Sequence, residues 1–429
     1  MQRIRGLLER HSFVRSVVIV AGGATFAQGL ALLVSPILTR IYTPDDLGVF
    51  GTFVSLFSIL IAINSLSYEL AIPLPETDEI ASNLPLLAMF ALCVTTVIFS
   101  LIIGLWGAPI ADLIKIPTVI PYLWVLPVSL FAAGVYQIAQ YWIIRKQNFT
   151  PISVARIFQS FGTVGTQVIA GLLQGGVFGL LAGHALGYVS GGATSMIYAW
   201  KSYKATLVQF DRAALIQAAA RYRRFPLFTN WSRLINVSGA MLPPLLITAI
   251  YGTQIGGWFV LGQRMIVIPL SLIGNAIAQV YLGTASQLRY ENPKALLRLF
   301  NKVGLRLTLV GGLPTLILWA AGPTLFKSVF GAEWQTAGEY MQLLAPALWT
   351  QFIISPLSQT INIMERQGIQ LAWDVVRLSM VLGLFFGASY FHLDARMTIG
   401  VYSVGVALLY IVLYFINYMI VRRFTHKVA

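Results

Sequence analysis

The chain has 429 residues, of which AVILMFWYC make up 57% and DEKR only 10%, with a formal net charge of +14. A soluble domain carries about 25% charged residues to keep its surface wet, so water is excluded as the main solvent of this fold. The positive balance then reads as membrane topology rather than as a nucleic-acid footprint, and no nucleic-acid partner is expected.

A helix of about 20 apolar residues spans a hydrocarbon core of about 30 Å. Twelve such runs follow one another, at 16–40, 48–72, 82–105, 118–143, 153–172, 177–199, 229–250, 255–283, 303–323, 337–363, 368–390 and 397–421. They are continuous rather than alternating, which selects helices over a barrel. The Arg-rich start looks like a signal peptide, but the first run exceeds an h-region of about 7–15 residues and is expected to stay as an anchor.

Lys and Arg are retained on the cytoplasmic side of short loops. With the N-terminus inside, the tail (Arg3, Arg5, Arg10, Arg15), the 145–156 turn, the 201–224 and 289–306 connectors and Arg422, Arg423 and Lys427 all fall inside. Arg40, Lys115, Lys327 and Arg396 lie opposite, so both termini are expected in the cytoplasm. The acidic turn of Glu76, Asp78 and Glu79 is tolerated, since carboxylates weigh little in this rule.

The longest connector, 201–228, separates an N-lobe (1–200) from a C-lobe (229–429). Within it Leu207, Phe210, Leu215 and Ile216 accompany Arg212, Arg221, Arg223 and Arg224, as in an amphipathic helix lying on an anionic leaflet, with membrane lipids as partners. The lobes repeat each other weakly. LTRIYTPDDLGVF (38–50) matches ITAIYGTQIGGWF (247–259) at Thr39/Thr248, Ile41/Ile250, Tyr42/Tyr251, Gly48/Gly257 and Phe50/Phe259. Arg145, Arg156 and Gly162 recur as Arg366, Arg377 and Gly383. Such symmetry marks a transporter built from repeats. The expected fold class is therefore all-α, a polytopic membrane protein of twelve transmembrane helices in two six-helix lobes around a central cavity.

Polar groups inside spans carry the functional signal. Thr25, Gln28, Ser35 and Thr39 of span one fall within an arc of about 80°, a stripe that faces either an aqueous cavity or a neighbouring helix. Gln28 and Thr25, with Asn236 of span seven, are the candidate polar lining. An ionisable group at the centre of a lipid-exposed helix costs about 2.5–3.5 kcal/mol. Arg264 lies about 13 Å inside span eight at about 1.5 Å per residue, and Arg377 is similarly deep in span eleven. Asp374, three residues before Arg377, is its natural ion-pair partner. Arg233, Arg156 and Arg306 sit near predicted cytoplasmic ends, within snorkelling range. Glu69, near the inner end of span two, is placed to pair with an arginine or to bind a coupling cation. His184 reads as a packed residue. The predominance of arginine favours an anionic cargo, because guanidinium groups match phosphate oxygens bidentately and stay protonated. Cys93 is the only cysteine, which excludes an intrachain disulfide and a cysteine metal site; no metal, cofactor or catalytic group is expected.

Two stretches resemble the Wzx-like polysaccharide flippases of the multidrug/oligosaccharidyl-lipid/polysaccharide exporter superfamily: SPILTRIYTPDDLGVFGTF (35–53) and SYELAIPLPETDEIASNLPLLA (67–88). The first carries Thr39, Arg40, Pro44, Asp45, Asp46 and Gly48; the second carries Tyr68, Glu69, Leu74 and Pro75. The rest of the chain shares only the architecture. The resemblance implies export of an undecaprenyl-diphosphate-linked O-antigen or related repeat unit, across the bacterial inner membrane, by alternating access through a cationic lumen. It also implies polysaccharide polymerase and chain-length machinery as partners. Arg40 and Glu69 fall on motif positions; Arg233, Arg264 and Arg377 join them as candidate lumen cations by depth alone.

Two rivals are weaker. A membrane-embedded polymerase or glycosyltransferase needs catalytic groups on a sizeable outside loop, and those around 106–117 and 324–336 are short. Asp45-Asp46 reads better as a helix start. No GxxxxGK[ST] supports ATP hydrolysis. A drug or cation exporter of the same superfamily would prefer acidic groups in its cavity.

Overall fold

The computed structural model describes residues 2–113, 115–207 and 212–427. Every long element among them is a helix. In chain order these are α1 (Gln2–Ile41), α2 (Pro44–Ile61), α3 (Asp78–Leu113), α4 (Val125–Arg145), α5 (Thr150–Leu172), α6 (Gly176–Leu207) and the connector helix α7 (Arg212–Arg221). They are followed by α8 (Asn230–Tyr251), α9 (Thr253–Glu291), α10 (Pro293–Phe330), α11 (Gln335–Leu357), the short α12 (Gln359–Ile363), α13 (Gln367–Tyr390) and α14 (Ala395–Lys427). Leu207, Phe210 and Arg212 of the connector, and Arg3, Arg5, Arg10 and Arg15 of the tail, lie outside the residues whose side chains are described.

Each of the twelve predicted spans falls wholly or in part on one of the long helices. Eight (α1, α2, α3, α8, α9, α10, α13 and α14) are long and apolar enough to cross a membrane by length and composition. The other four predicted spans are carried by α4, α5, α6 and α11, of 21, 23, 32 and 23 residues. The helices are studded with outward apolar side chains such as Leu33, Leu113, Leu173 and Val280, which suit hydrocarbon rather than water.

Local chemistry sets where helices start and stop. Thr43 caps α2: its hydroxyl accepts from the Asp46 amide at 3.2 Å, while the Asp46 carboxylate accepts from the Thr43 amide at 2.9 Å. Pro44 at the first helical position and the carboxylates of Asp45 and Asp46 complete this start, as the sequence suggests. Single residues suffice to turn the chain between α8 and α9, at Gly252, and after α10, at Gly331, because φ of +95° and +110° is open to glycine. Three predicted spans are interrupted. The 48–72 run breaks after Ile61 and resumes as a single 3-10 turn at Tyr68–Ala71. The 118–143 run opens on another 3-10 turn, Pro117–Tyr122, whose two prolines supply no amide for an α-helix. The 337–363 run is divided at Ser358.

The chain divides into two compact units, Met1–Val237 and Ser238–Ala429. The division lies inside α8 rather than in the connector, because α7 and the first turn of α8 pack with the first unit. There, Leu84, Leu92 and Trp142 of α3 and α4 form a core that also takes in Ala218 and Tyr222 of the connector. Serines stitch α5 to its neighbours: Ser153 and Ser160 donate to the carbonyls of Ile19 and Ala27 in α1 at 2.6 and 2.9 Å. In the second unit α11 packs on α9, α10 and α14. One cluster there centres on Tyr281, Phe300 and Leu357, another on Ile361, Trp373 and Leu413.

The sequence repeat has a structural counterpart. Tyr42 donates to the carbonyl of Gln167 at 2.6 Å and Tyr251 to that of Leu393 at 3.0 Å. Each hydroxyl thus ties the end of a first helix, α1 or α8, to the region where the fifth long helix of that half, α5 or α13, ends. Thr39 and Thr248 are both buried and donate back to Pro36 and Pro244 of their own helices.

Candidate functional site

The break between α2 and α3 builds a polar node inside the first unit. Asn64, Ser65 and Ser67 compete with helical backbone bonding, and Leu66 and Ser67 adopt left-handed conformations at φ +52° and +59°. The segment is held from several sides. The Asn64 amide donates to the Leu130 carbonyl at 2.8 Å, and the Arg145 guanidinium donates to the carbonyls of Pro75 and Thr77 at 2.8 and 3.0 Å. Within this frame Glu69 is 1% exposed. Its carboxylate accepts from Ser65 and, at 2.7 Å, from Arg233 in the first turn of α8. Arg233 also donates to Ser67, whose hydroxyl reaches Asn230, each at 3.1 Å. A carboxylate buried so deeply requires this compensation. Of the two readings of Glu69, the arrangement displays the ion pair.

A second node lies within the second unit. Asp374, 4% exposed, faces Arg377 at 3.5 Å and accepts from Gln370 at 3.3 Å. The Arg377 guanidinium lies against Gly239 of α8, where a Cβ would stand 3.0 Å from its Nε. Tyr410 of α14 is within hydrogen-bonding reach of the same group. Gly239 is therefore a slot that lets a charged group rest on a helix backbone.

Two of the four candidate cations, Arg233 and Arg377, are thus charge-compensated. The other two are not. Arg264 is half-buried on α9 and makes no hydrogen bond or ion pair with any described residue. Arg40 is exposed in the last turn of α1, where its charge complements the helix dipole, and it too has no such partner. Arg40 and Arg233 belong to the first unit, Arg264 and Arg377 to the second.

Among the polar candidates, Thr25 and Asn236 are exposed and Gln28 is half-buried, its side-chain carbonyl lacking a hydrogen-bond partner. Ser35 and Thr39, from the same stripe, are buried and bond back to their own helix. His184 is packed edge-on against Phe50, Phe53, Phe57 and Tyr188. The described residues contain no group of three or more His, Cys, Asp or Glu arranged to hold a metal ion. Sequence reasoning passed over Ser65, Ser67 and Gly239. The Asn-Ser-Leu-Ser run before Tyr68 was the available signal, since those residues disfavour helix interiors.

A family model described as polysaccharide biosynthesis protein matches residues 37–339. The chain belongs to this family. A curated relative, the succinoglycan biosynthesis transport protein ExoT of Rhizobium meliloti (strain 1021), is 25% identical over 360 residues, covering 80% of this chain and 68% of its own. The teichuronic acid biosynthesis protein TuaB of Bacillus subtilis (strain 168) is 24% identical over 299 residues, and the match spans 59% of its length. Among solved structures, an inward-facing multidrug resistance MATE family transporter of the MOP superfamily superposes with a TM-score of 0.72 at 14% identity, over 94% of this chain and 96% of that one. The lipid II flippase MurJ, in an inward closed conformation, gives 0.67 at 12% identity, over 94% and 86%. Family and fold therefore agree with the resemblance seen in the sequence. This member of the polysaccharide biosynthesis protein family is a multi-pass membrane protein, helical throughout the long elements of its described residues.

Proposed function

We propose that the protein is a flippase, which moves an undecaprenyl-diphosphate-linked O-antigen or related polysaccharide repeat unit from the inner to the outer leaflet of the bacterial inner membrane, with both termini cytoplasmic. Arg264 carries this reading. A guanidinium deep in a membrane helix, with no protein counter-ion among the described residues, calls for an anion, and a diphosphate accepts its forked donors bidentately. Glu69 and Asp374 leave Arg233 and Arg377 structurally engaged, so Arg264 is the principal anchor and Arg40 a secondary one. Translocation proceeds by alternating access, as in other transporters built from repeats. The protein performs no bond chemistry. It works within polysaccharide synthesis, alongside the polymerase and chain-length machinery that consume an exported unit.

Mass spectrometry of lipid-linked intermediates, with leaflet accessibility measured, tests the assignment. Depletion of the protein should build up one completed glycolipid on the inner face. Arg264→Ala should reproduce that build-up with a roughly 10- to 100-fold loss of export, the worth of one charge-assisted hydrogen-bonding group, while Arg264→Lys retains part. Full complementation by Arg264→Ala at native expression levels would sink the cationic anchor.

A further inference from the structure

Arg264 is not isolated on its helix. Ser271 and Asn275 follow it on one face of α9, all three within an arc of about 40° at about 100° per residue. Those two residues line an open cleft in the second unit, together with Gly274 and, from the packed face of α11, Gln351, Phe352 and Ser355. The side chains of Asn275, Gln351 and Ser355 make no hydrogen bond to any described residue. At membrane depth this is unusual, because a polar group there finds a partner in protein, in cavity water or in a ligand.

We infer that this cleft is the saccharide subsite of the transported molecule. Two carboxamides and a hydroxyl, set among the apolar side chains of Val267, Leu270, Leu348 and Pro356, offer uncharged donors and acceptors beside apolar surface, which fits a neutral sugar with its hydroxyl edge and C–H face; a phosphate would ask for cations. Phe352, almost fully buried, adds an apolar edge to the lining. Asn275 lies about 16 Å from Arg264 along α9 at about 1.5 Å per residue, a span that seats a diphosphate at one end and a sugar residue at the other. The glycan is therefore read by the α9/α11 pair while its diphosphate is held by Arg264. This rests on the flippase reading above, and it adds where the choice among sugars is made.

The test is a binding titration of the protein in lipid nanodiscs with three probes: undecaprenyl diphosphate alone, and the same lipid carrying N-acetylglucosamine or galactose. Wild-type protein should bind at least one sugar-bearing probe more tightly than the bare lipid. The Asn275→Ala/Gln351→Ala double variant should lose about tenfold in affinity for that probe, as expected for two neutral hydrogen bonds, and nothing for the bare lipid. Arg264→Ala should weaken all three alike. Retained affinity for the bare lipid shows that the double variant is folded. Equal wild-type affinity for all three probes, or a double variant that binds the sugar-bearing probe unchanged or weakens every probe equally, overturns the saccharide subsite. Failure of wild-type protein to bind any of the three overturns the flippase reading instead.

Discussion

Helices α5 and α13 hold matching places in the two units and carry matching residues, Arg156 and Gly162 in one, Arg377 and Gly383 in the other. Their surroundings differ. On α5, neutral hydroxyls and small residues bring neighbouring backbones together: Ser153 faces Gly23, and a Cβ on Gly162 would meet the Ser190 hydroxyl at 2.4 Å and the Leu186 carbonyl at 3.3 Å. Arg156 adds one long bond, 3.4 Å to the Val20 carbonyl, and lies beside Tyr136 of α4, without a carboxylate partner among the described residues. On α13 the contact with α8 runs through a guanidinium lying on Gly239, and a Cβ on Gly383 would meet nothing within 4 Å. One repeat has made its fifth long helix a close-packed strut, while the other buries an ion pair there and leaves its glycine exposed. Repeats conserve position more faithfully than they conserve the interaction made there.

The comparison is broken most severely by removing its charges. Arg377→Ala leaves the Asp374 carboxylate, whose side chain is 6% exposed, without its cation, and should cost about 3–5 kcal/mol of stability in chemical unfolding. The double variant Asp374→Ala/Arg377→Ala should recover most of that loss. Arg156→Ala should cost under about 1 kcal/mol. Equal losses at both arginines would erase the distinction drawn between the two helices. Next in size is Glu69→Ala, which orphans Arg233. Because 30% of the Arg233 side chain already meets the surface, the expected cost is smaller, about 2 kcal/mol, and a double-mutant cycle with Arg233→Ala should show coupling of at least about 1 kcal/mol. Additive losses would mean that the two charges do not support each other. The finest probe is alanine at the paired glycines. Gly162→Ala should destabilise by about 1–2 kcal/mol through overpacking. Gly383→Ala should be neutral or stabilise by up to about 1 kcal/mol, since a helical alanine loses less entropy than glycine. Thermal shifts of the same sign at the two sites would contradict the packing difference.

Much of the fold was legible because bilayer solvation imposes a single rule, and twelve apolar runs obey it. The start of α2 was equally readable, since Thr43, Pro44 and Asp46 act on backbone groups three residues away. The break at 62–77 was not, because Ile61, Ala62, Ile63 and Leu66 keep the hydropathy high while the intervening Asn and Ser redirect the backbone. The Asp374–Arg377 pair could be anticipated from its three-residue spacing on one helix. Glu69 and Arg233 are separated by 164 residues, and nothing local announces their meeting. The uncompensated state of Arg264 was likewise invisible, for depth can be counted along a chain whereas the lack of a partner has to be seen.

Where relatives are recombined, the placement of α8 decides where the chain should be cut. The connector between α6 and α7 looks like the natural joint, yet α7 and the Asn230–Arg233 turn belong with the first unit. A chimera joined at the connector would bring a foreign Tyr222, Asn230 and Arg233 to a native Ser67 and Glu69. Joined after Val237 instead, each half keeps its own buried charges, and hybrid chains from this family should insert and fold far more often when spliced there.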